Sequence, residues 1–344
     1  MSEQIRCLVW DLDNTLWSGT LLESDTCRLR PGIRRVLSTL NERGILLSVA
    51  SANDFDQAMS ILREKRIAQL FLHPQIGWTN KVSSIKTISE SLAIGLDSIG
   101  FIDDEPYELE QVRRILPAVR TYPADSYRSL VDRPELDPEI VTEESRTRRT
   151  KYLQALEREG AADGLGMSHQ QFLEYCRTRM EARRGTPADV PRILELMRRT
   201  HQLNSTGVVC SPEQVESFIS DPRYRVYVVE LRDRFVDYGR VGVGVCRLDE
   251  GSWHLTTFLL SCRVLSRGIS GYFLAWLRGQ ALREGASEFR GYYKRSDRNH
   301  RMKSLYQLAG FRPVHQNGEM TVYACRRPVI EPKPPRWLTV ETRS

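Results

Sequence analysis

The stretch VWDLDNTLWSG (residues 9–19) decides how the chain is read, because an apolar run stops there on two carboxylates two residues apart. The preceding RCLVWDLD predicts a β-strand, and a two-residue spacing at its end lets Asp11 and Asp13 point into the same crevice. Two unpaired carboxylates side by side repel, so a divalent cation or a protonated partner must make the pair tolerable. One carboxylate can then bind Mg²⁺ and attack phosphorus while its neighbour shuttles a proton to and from the leaving group. The plainer alternative is that one Asp caps a turn or helix and the other is solvated.

Working outward, short apolar runs alternate with helical patterns. PGIRRVLSTLNERG predicts a helix closed by Gly44, ILLSVAS a strand, and NDFDQAMSILREKRI a helix capped by Asn53 or Asp54. QLFLHPQIGW, KVSSIKTISESLAIG, SIGFIDDEP and YELEQVRRILP continue the alternation. Strands separated by helices imply β-α-β units and a parallel sheet, whose ligand lies beyond the carboxyl ends of the strands. Ser51 ends the strand ILLSVAS, Lys81 opens the helix in WTNKVSSIK, and Asp103 and Asp104 follow the apolar run in FIDDEP. They supply a hydroxyl for a phosphate oxygen, a cation for a phosphorylated aspartate, and carboxylates for a magnesium shell.

In order and context these signatures resemble the haloacid dehalogenase (HAD) superfamily of aspartate-nucleophile phosphotransferases, over roughly the first third of the chain. The resemblance implies that Asp11 is the nucleophile and Asp13 the acid/base. It implies phosphate binding by Thr15, Ser51 and Lys81, and Mg²⁺ ligation by Asp11, Asp13, Asp103 and Asp104. Short intervals from Gly19 to Ser51 and from Ser51 to Lys81 leave no room for a large cap domain, so the site should accept a phosphate carried on something bulky.

Composition limits the remaining classes. At 344 residues the chain suits about two domains. No apolar run reaches the roughly 18 residues needed to span a bilayer, and MSEQIRCLVWD lacks a signal-peptide pattern, which predicts a cytoplasmic protein with no membrane contact. Seven cysteines without a C-x-x-C pair argue against a disulfide framework or structural zinc and for small core residues. The net charge of +6 is spread along the chain, unlike a nucleic-acid stripe, so no nucleic-acid partner is expected.

The domain boundaries expected are 1–136 for the phosphatase-like domain, 137–185 for a charged helical connector, 186–330 for a second α/β domain, and 331–344 for a peripheral Pro-rich tail. Within the second domain, RVYVVELRD, RVGVGVCRLD and SWHLTTFLLSCRVL predict successive antiparallel strands, followed by the helix GYFLAWLRGQALREG. The turn FLLSCRVLSRGISG between them has amides at a helix N-terminus that can bind phosphate, a plain strand-to-helix connection being the alternative. NHRMKSLYQLAGF carries the Asn, Tyr306 and Gly310-Phe311 pattern of GNAT-fold acyltransferases. Arg263-x-x-Ser266-x-Gly268 is similar to their R-x-x-G-x-G loop, with Ser266 in place of the first glycine.

VWDLDNTLW, FIDDEP, EESRTRR, RTHQLNSTG and LLSCRVLSRG occur in the order found in FkbH-like proteins, a resemblance covering nearly all the chain except the tail. Ser18, Glu105 and Asn80 stand where family members often have Gly, Asn and Pro; none removes a catalytic group. The resemblance implies a glyceryl transferase/phosphatase. Such an enzyme takes the glyceryl group of 1,3-bisphosphoglycerate, removes phosphate, and loads the acyl group on the phosphopantetheine thiol of an acyl carrier protein for polyketide pathways, tetronate or methoxymalonyl. Cys262 would hold glycerate as a thioester, since an acyl phosphate is already activated towards a thiolate and Arg263 favours that thiolate; an inert cysteine in an apolar strand is the alternative. Asn204, Arg263, Arg267 and Gly268 would contact the acyl group or pantetheine arm, with Arg263 and Arg267 candidates for the carrier docking face. A stand-alone Mg²⁺-dependent phosphatase whose GNAT-like half only binds a substrate or partner is the alternative function.

Overall fold

The computed structural model describes residues 4–21, 27–165, 167–261, 264, 267–326 and 333–343. The chain divides into two compact units, Met1–Leu153 and Gln154–Ser344.

In the first unit β1 (Cys7–Trp10) is followed by a two-residue ribbon, β2 (Trp17–Ser18) with β3 (Arg28–Leu29), and then α1 (Ile33–Glu42). There follow β4 (Leu46–Ser51), α2 (Phe55–Glu64), β5 (Gln75–Ile76), α3 (Lys81–Ser91), β6 (Ile99–Asp103), α4 (Pro106–Ile115) and β7 (Arg120–Pro123). The sheet is parallel throughout, in the order β5-β4-β1-β6-β7. Alternate residues of β1 enter opposite cores. Leu8 and Trp10 pack with Ile33, Leu37 and Leu62 of α1 and α2, whereas Cys7 and Val9 pack with Ile85, Ile88 and Val112 of α3 and α4. This is the parallel sheet flanked by helices that the sequence predicts. Among the described residues the small ribbon stands between β1 and α1.

The chain steps from β1 to β4 and β5 on one side, then crosses back to β6 and β7 on the other. The carboxyl ends of β1 and β6 therefore flank the switch point, where open α/β sheets bind ligands.

Three helices follow: α5 (Glu143–Arg146), α6 (Arg148–Leu165) and α7 (His169–Cys176). The second unit contains β8 (Thr178–Arg184), α8 (Val190–Arg199), α9 (Pro212–Ser220), β9 (Tyr224–Arg232), β10 (Asp237–Asp249), β11 (Ser252–Leu260), α10 (Ile269–Arg283), β12 (Glu288–Lys294), α11 (His300–Leu308), β13 (Arg312–Asn317), β14 (Met320–Arg326) and β15 (Leu338–Arg343). They form an eight-stranded sheet, β13-β14-β12-β11-β10-β9-β8-β15. The pairs from β8 to β11 are antiparallel, while β11 and β12 pair in parallel from Ser252–Glu288 to Leu255–Gly291. This is an α/β arrangement, as expected of the second half.

Two stretches differ from the expected boundaries. Residues 178–184, inside the expected connector, form β8, with Thr178, Met180 and Ala182 buried at alternate positions. Residues 338–343, inside the expected peripheral tail, form β15 in parallel with β8. Strand alternation hides behind the charge density of TRMEARR, and the run of prolines before Leu338 masks the second. No helix among the described residues is long and apolar enough to cross a membrane.

Candidate active site

The first unit's polar centre assembles at the carboxyl ends of β1, β4 and β6 and the N-terminus of α3. Asp11 is the first residue beyond β1; its N–H donates to the Ile102 carbonyl, 3.0 Å, which fixes the backbone beside β6. Ser51 ends β4 and its hydroxyl donates to Asp11 Oδ1 at 3.1 Å. Lys81 opens α3, capped by Asn80, whose side chain accepts from the Ser83 N–H at 2.8 Å. The Lys81 ammonium is buried and contacts Asp11 Oδ1, Asp103 Oδ2 at 3.2 Å and the Ala50 carbonyl at 2.8 Å. Sequence order thus becomes one constellation: Asp11, Ser51, Lys81 and Asp103.

Asp11, Asp103 and Asp104 place one carboxylate oxygen each within 4.8 Å of one another, close enough to share a metal ion. Asp103 Oδ1 accepts from the Glu105 N–H at 2.9 Å, while its buried Oδ2 has no aligned hydrogen bond beyond the ion pair with Lys81. Burial raises the pKa of Asp11, against the lowering pull of Lys81. Burial and the Asp11 charge together push Asp103 up to about 7, and burial also raises Asp104. Burial works against the charged form of Lys81, but the two carboxylates outweigh it and hold the ammonium protonated. Three crowded carboxylates face one ammonium, and an all-oxygen set of this kind suits a hard divalent cation.

The Asp13 carboxylate, expected among the metal ligands, lies outside that cluster. Its Oδ1 accepts from Trp17 Nε1 at 2.8 Å and from the Leu21 N–H at 3.2 Å, and its Oδ2 from Asn53 Nδ2 at 3.2 Å. The reason is backbone geometry: β1 ends at Trp10, and the chain turns through Asn14 at φ 49°, so strand alternation no longer governs Asp13. It still reaches the same crevice, because Asn53 also donates to Ser51 Oγ at 3.0 Å and Ser51 holds Asp11. Thr15, expected to bind phosphate, donates to Asp104 Oδ1 at 3.1 Å and orients that carboxylate.

Asn53 is the residue sequence reasoning missed. Of the two candidate caps for α2, Asp54 fills the role, accepting from the Gln57 N–H at 3.0 Å, and this frees Asn53 for the site. The signal was its spacing of two from Ser51.

In the second unit, Cys262 and Arg263 lie outside the described residues. The other expected contacts are committed elsewhere. Asn204 is buried, donates to the Thr200 carbonyl at 3.1 Å and accepts from the Thr206 and Gly207 N–H groups at 3.3 and 2.9 Å, holding its own loop. Arg267 is buried rather than on a docking face: it donates to Asp233 Oδ2 at 2.9 Å and stacks over Tyr238. Arg158 reaches the same Asp233 oxygen at 3.1 Å. Gly268 caps α10 at φ 66°, and a Cβ there would lie 3.1 Å from Trp337 Cζ2. Tyr306 is sealed, its hydroxyl donating to the Tyr292 carbonyl at 3.3 Å. Five of the six described cysteines are buried; Cys325 is partly exposed and accepts from Arg278 Nη1 at 3.2 Å.

No protein-family model and no curated protein matches the chain. Among solved structures, the N-terminal part of protein BF1531 from Bacteroides fragilis, containing a phosphatase domain complexed with Mg, is similar at 28% identity. The match covers 38% of this chain and 40% of that one, with a TM-score of 0.33. The PaiA N-acetyltransferase of Thermoplasma acidophilum in complex with coenzyme A is 16% identical over 43% of this chain and 99% of that one, TM-score 0.36. The ribosomal-protein-S18-alanine N-acetyltransferase of Escherichia coli is 13% identical over 43% and 93%, TM-score 0.35.

Proposed function

We propose that the chain is a cytoplasmic bifunctional glyceryl transferase/phosphatase. It takes the glyceryl group from 1,3-bisphosphoglycerate, removes phosphate, and loads the acyl group as a thioester on the phosphopantetheine of an acyl carrier protein for polyketide biosynthesis. The observation that carries the phosphatase half is the convergence of Asp11, Ser51, Lys81 and Asp103 at one switch point. The glyceryl and carrier-protein half is supported by the order of motifs along the sequence.

In this reading the Asp11 carboxylate attacks phosphorus and the phosphate ester bond breaks. Asp13 gives a proton to the departing alcohol oxygen and later takes one from the water that hydrolyses the aspartyl phosphate. Lys81 holds Asp11 in place and balances charge on the phosphoryl oxygens; Ser51 and Asn53 tie nucleophile to acid/base through one hydrogen-bonded chain. Asp11, Asp103 and Asp104 would hold Mg²⁺, which when bound offsets charge on the transferring phosphoryl group. In the transferase half, the Cys262 thiolate attacks the acyl-phosphate carbonyl, inorganic phosphate leaves, and the carrier thiol takes the acyl group by thioester exchange.

Intact-protein mass spectrometry after incubation with Mg²⁺ and enzymatically generated 1,3-bisphosphoglycerate tests it. A glyceryl or phosphoglyceryl adduct on wild type, absent from Cys262→Ala and chased onto a holo carrier protein, is expected. Phosphate release with no adduct on either protein would leave the stand-alone phosphatase.

A further inference from the structure

We infer that Trp17 is a positioning residue of the phosphatase site: its indole N–H holds the Asp13 carboxylate where it can protonate the leaving oxygen. The inference rests on the reading of Asp11 and Asp13 as nucleophile and acid/base. Asp13 lies beyond the end of β1, in a turn that passes through Asn14 at φ 49°, so the strand does not fix its side chain. Hydrogen bonds from outside β1 fix it. Trp17 Nε1 donates to Oδ1 at 2.8 Å and the Leu21 N–H to the same oxygen at 3.2 Å, while Asn53 Nδ2 donates to Oδ2 at 3.2 Å. With two donors on Oδ1, Oδ2 is the oxygen left to carry the proton.

Packing alone does not account for the Trp17 bond. Trp10 and Trp17 are both fully buried in the same apolar core. Buried indoles usually find an acceptor. Trp10 Nε1 has no hydrogen-bond partner among the described residues, so this core tolerates an unpaired indole N–H. Trp17 differs in how its backbone is held. Its N–H donates to the Leu12 carbonyl at 3.2 Å, and β2, the strand it opens, pairs with β3 through Trp17 and Leu29. Arg30, the residue after β3, donates its backbone N–H to the Leu16 carbonyl at 3.1 Å and Nη1 to the Asn14 carbonyl at 3.2 Å. The ribbon thus clamps the turn that carries Asp13, and the Trp17 ring reaches back along the chain to the carboxylate.

The effect of this hold falls on the leaving group. As an Asp11 carboxylate oxygen bonds to phosphorus, the ester P–O bond breaks and its electron pair goes to the departing oxygen. That oxygen takes the proton from Asp13 Oδ2 and leaves Asp13 as a carboxylate. A p-nitrophenolate departs without the proton, whereas phenol, like an alcohol, needs it. General acid catalysis contributes roughly 10²–10⁴-fold, and a carboxyl group free to turn away loses part of that.

The test measures kcat/KM for phenyl phosphate and p-nitrophenyl phosphate with the full-length protein and Mg²⁺, because kcat/KM reads the barrier to the step in which the leaving group departs. In Trp17→Phe the phenyl to p-nitrophenyl ratio should fall by about tenfold or more. In Trp10→Phe, which removes an unpaired indole N–H from the same core, the ratio should stay within about twofold of wild type. Should Trp17→Phe lose amide protection in β1 and β6, the isosteric benzothienylalanine at position 17, with sulfur in place of N–H, is measured in its stead. A ratio unmoved by loss of the Trp17 N–H, or lowered as much by Trp10→Phe, overturns the inference and leaves the phosphatase reading standing; so does a wild type that cleaves p-nitrophenyl phosphate alone. Turnover of neither phosphate by wild type overturns both.

Discussion

Replacing Lys81 by Met tests the electrostatics of the site most severely. The ammonium is buried, pairs with two buried carboxylates and donates to the Ala50 carbonyl, so the substitution leaves Asp11 and Asp103 facing each other without a cation. Removing one member of a buried ion pair costs about 3–5 kcal/mol, because the remaining charge is uncompensated. At the lower figure, amide exchange in β1 and β6 should accelerate on the order of 100-fold at pH 8 without Mg²⁺, each 1.4 kcal/mol being about tenfold. The cost should depend on pH with a definite sign. In the variant both carboxylates have folded-state pKa values above their unfolded ones, so the folded state binds more protons and stability falls as pH rises through that range. Each proton taken up recovers about 1.4 kcal/mol per pH unit on acidification, so the gap from wild type should narrow towards pH 5, and Mg²⁺ at pH 8 should recover part of it. Native-state hydrogen exchange at pH 8 and 5, with and without Mg²⁺, reads all of this. Exchange unchanged at pH 8, or a loss of protection independent of pH and Mg²⁺, would refute the reasoning.

Asp189 should make the second unit acid-sensitive. Burial alone would raise its pKa, but hydrogen bonds from Arg183 and Thr186 outweigh burial and hold the carboxyl well below the usual range. A depressed folded-state pKa contributes stability above the unfolded value near 4 and loses it as pH falls further, so the deficit of Asp189→Asn in guanidinium midpoint should be largest at pH 7 and close towards pH 2. Gly291→Ala should cost about 1–3 kcal/mol by overpacking, since a Cβ there would lie 2.3 Å from Tyr306 Cε1 and Tyr306 is stacked on Tyr323; an unchanged Tm would contradict it. Asp233→Asn should destabilise by about 3–5 kcal/mol, because Arg158 and Arg267 then share no carboxylate, and a denaturant midpoint equal to wild type would show that their aromatic stacking suffices.

The first unit was legible because β1, β4 and β6 are apolar runs followed by helices, and the carboxylates and the serine stand at the ends of those runs. Ser51 and Asp103 are the last residues of their strands and Asp11 the first beyond its own, so strand ends alone bring them together. Asp13 and Thr15 were harder to place, since both lie past the end of β1, in a turn where the spacing of two loses its meaning. Arg267 looked like a surface arginine on a loop; its buried partner Asp233 is 34 residues away, and no local pattern announces such a pair. Asn204 follows an amphipathic helix and spends its side chain on its own loop. β8 and β15 escaped notice because half of β8's side chains are exposed or half-exposed charges, so burial of the alternate positions depends on its neighbours in the sheet.

The central claim is that Asp11 is the nucleophile of a metal-assisted phosphotransfer site. Phosphate release from p-nitrophenyl phosphate, measured with Mg²⁺ and after chelation for wild type and Asp11→Asn, tests it most directly. The account predicts turnover by wild type only with Mg²⁺ and a loss of at least about 1,000-fold in Asp11→Asn while amide protection in β1 and β6 persists. Turnover that survives chelation, or an Asp11→Asn protein that still releases phosphate, would contradict it.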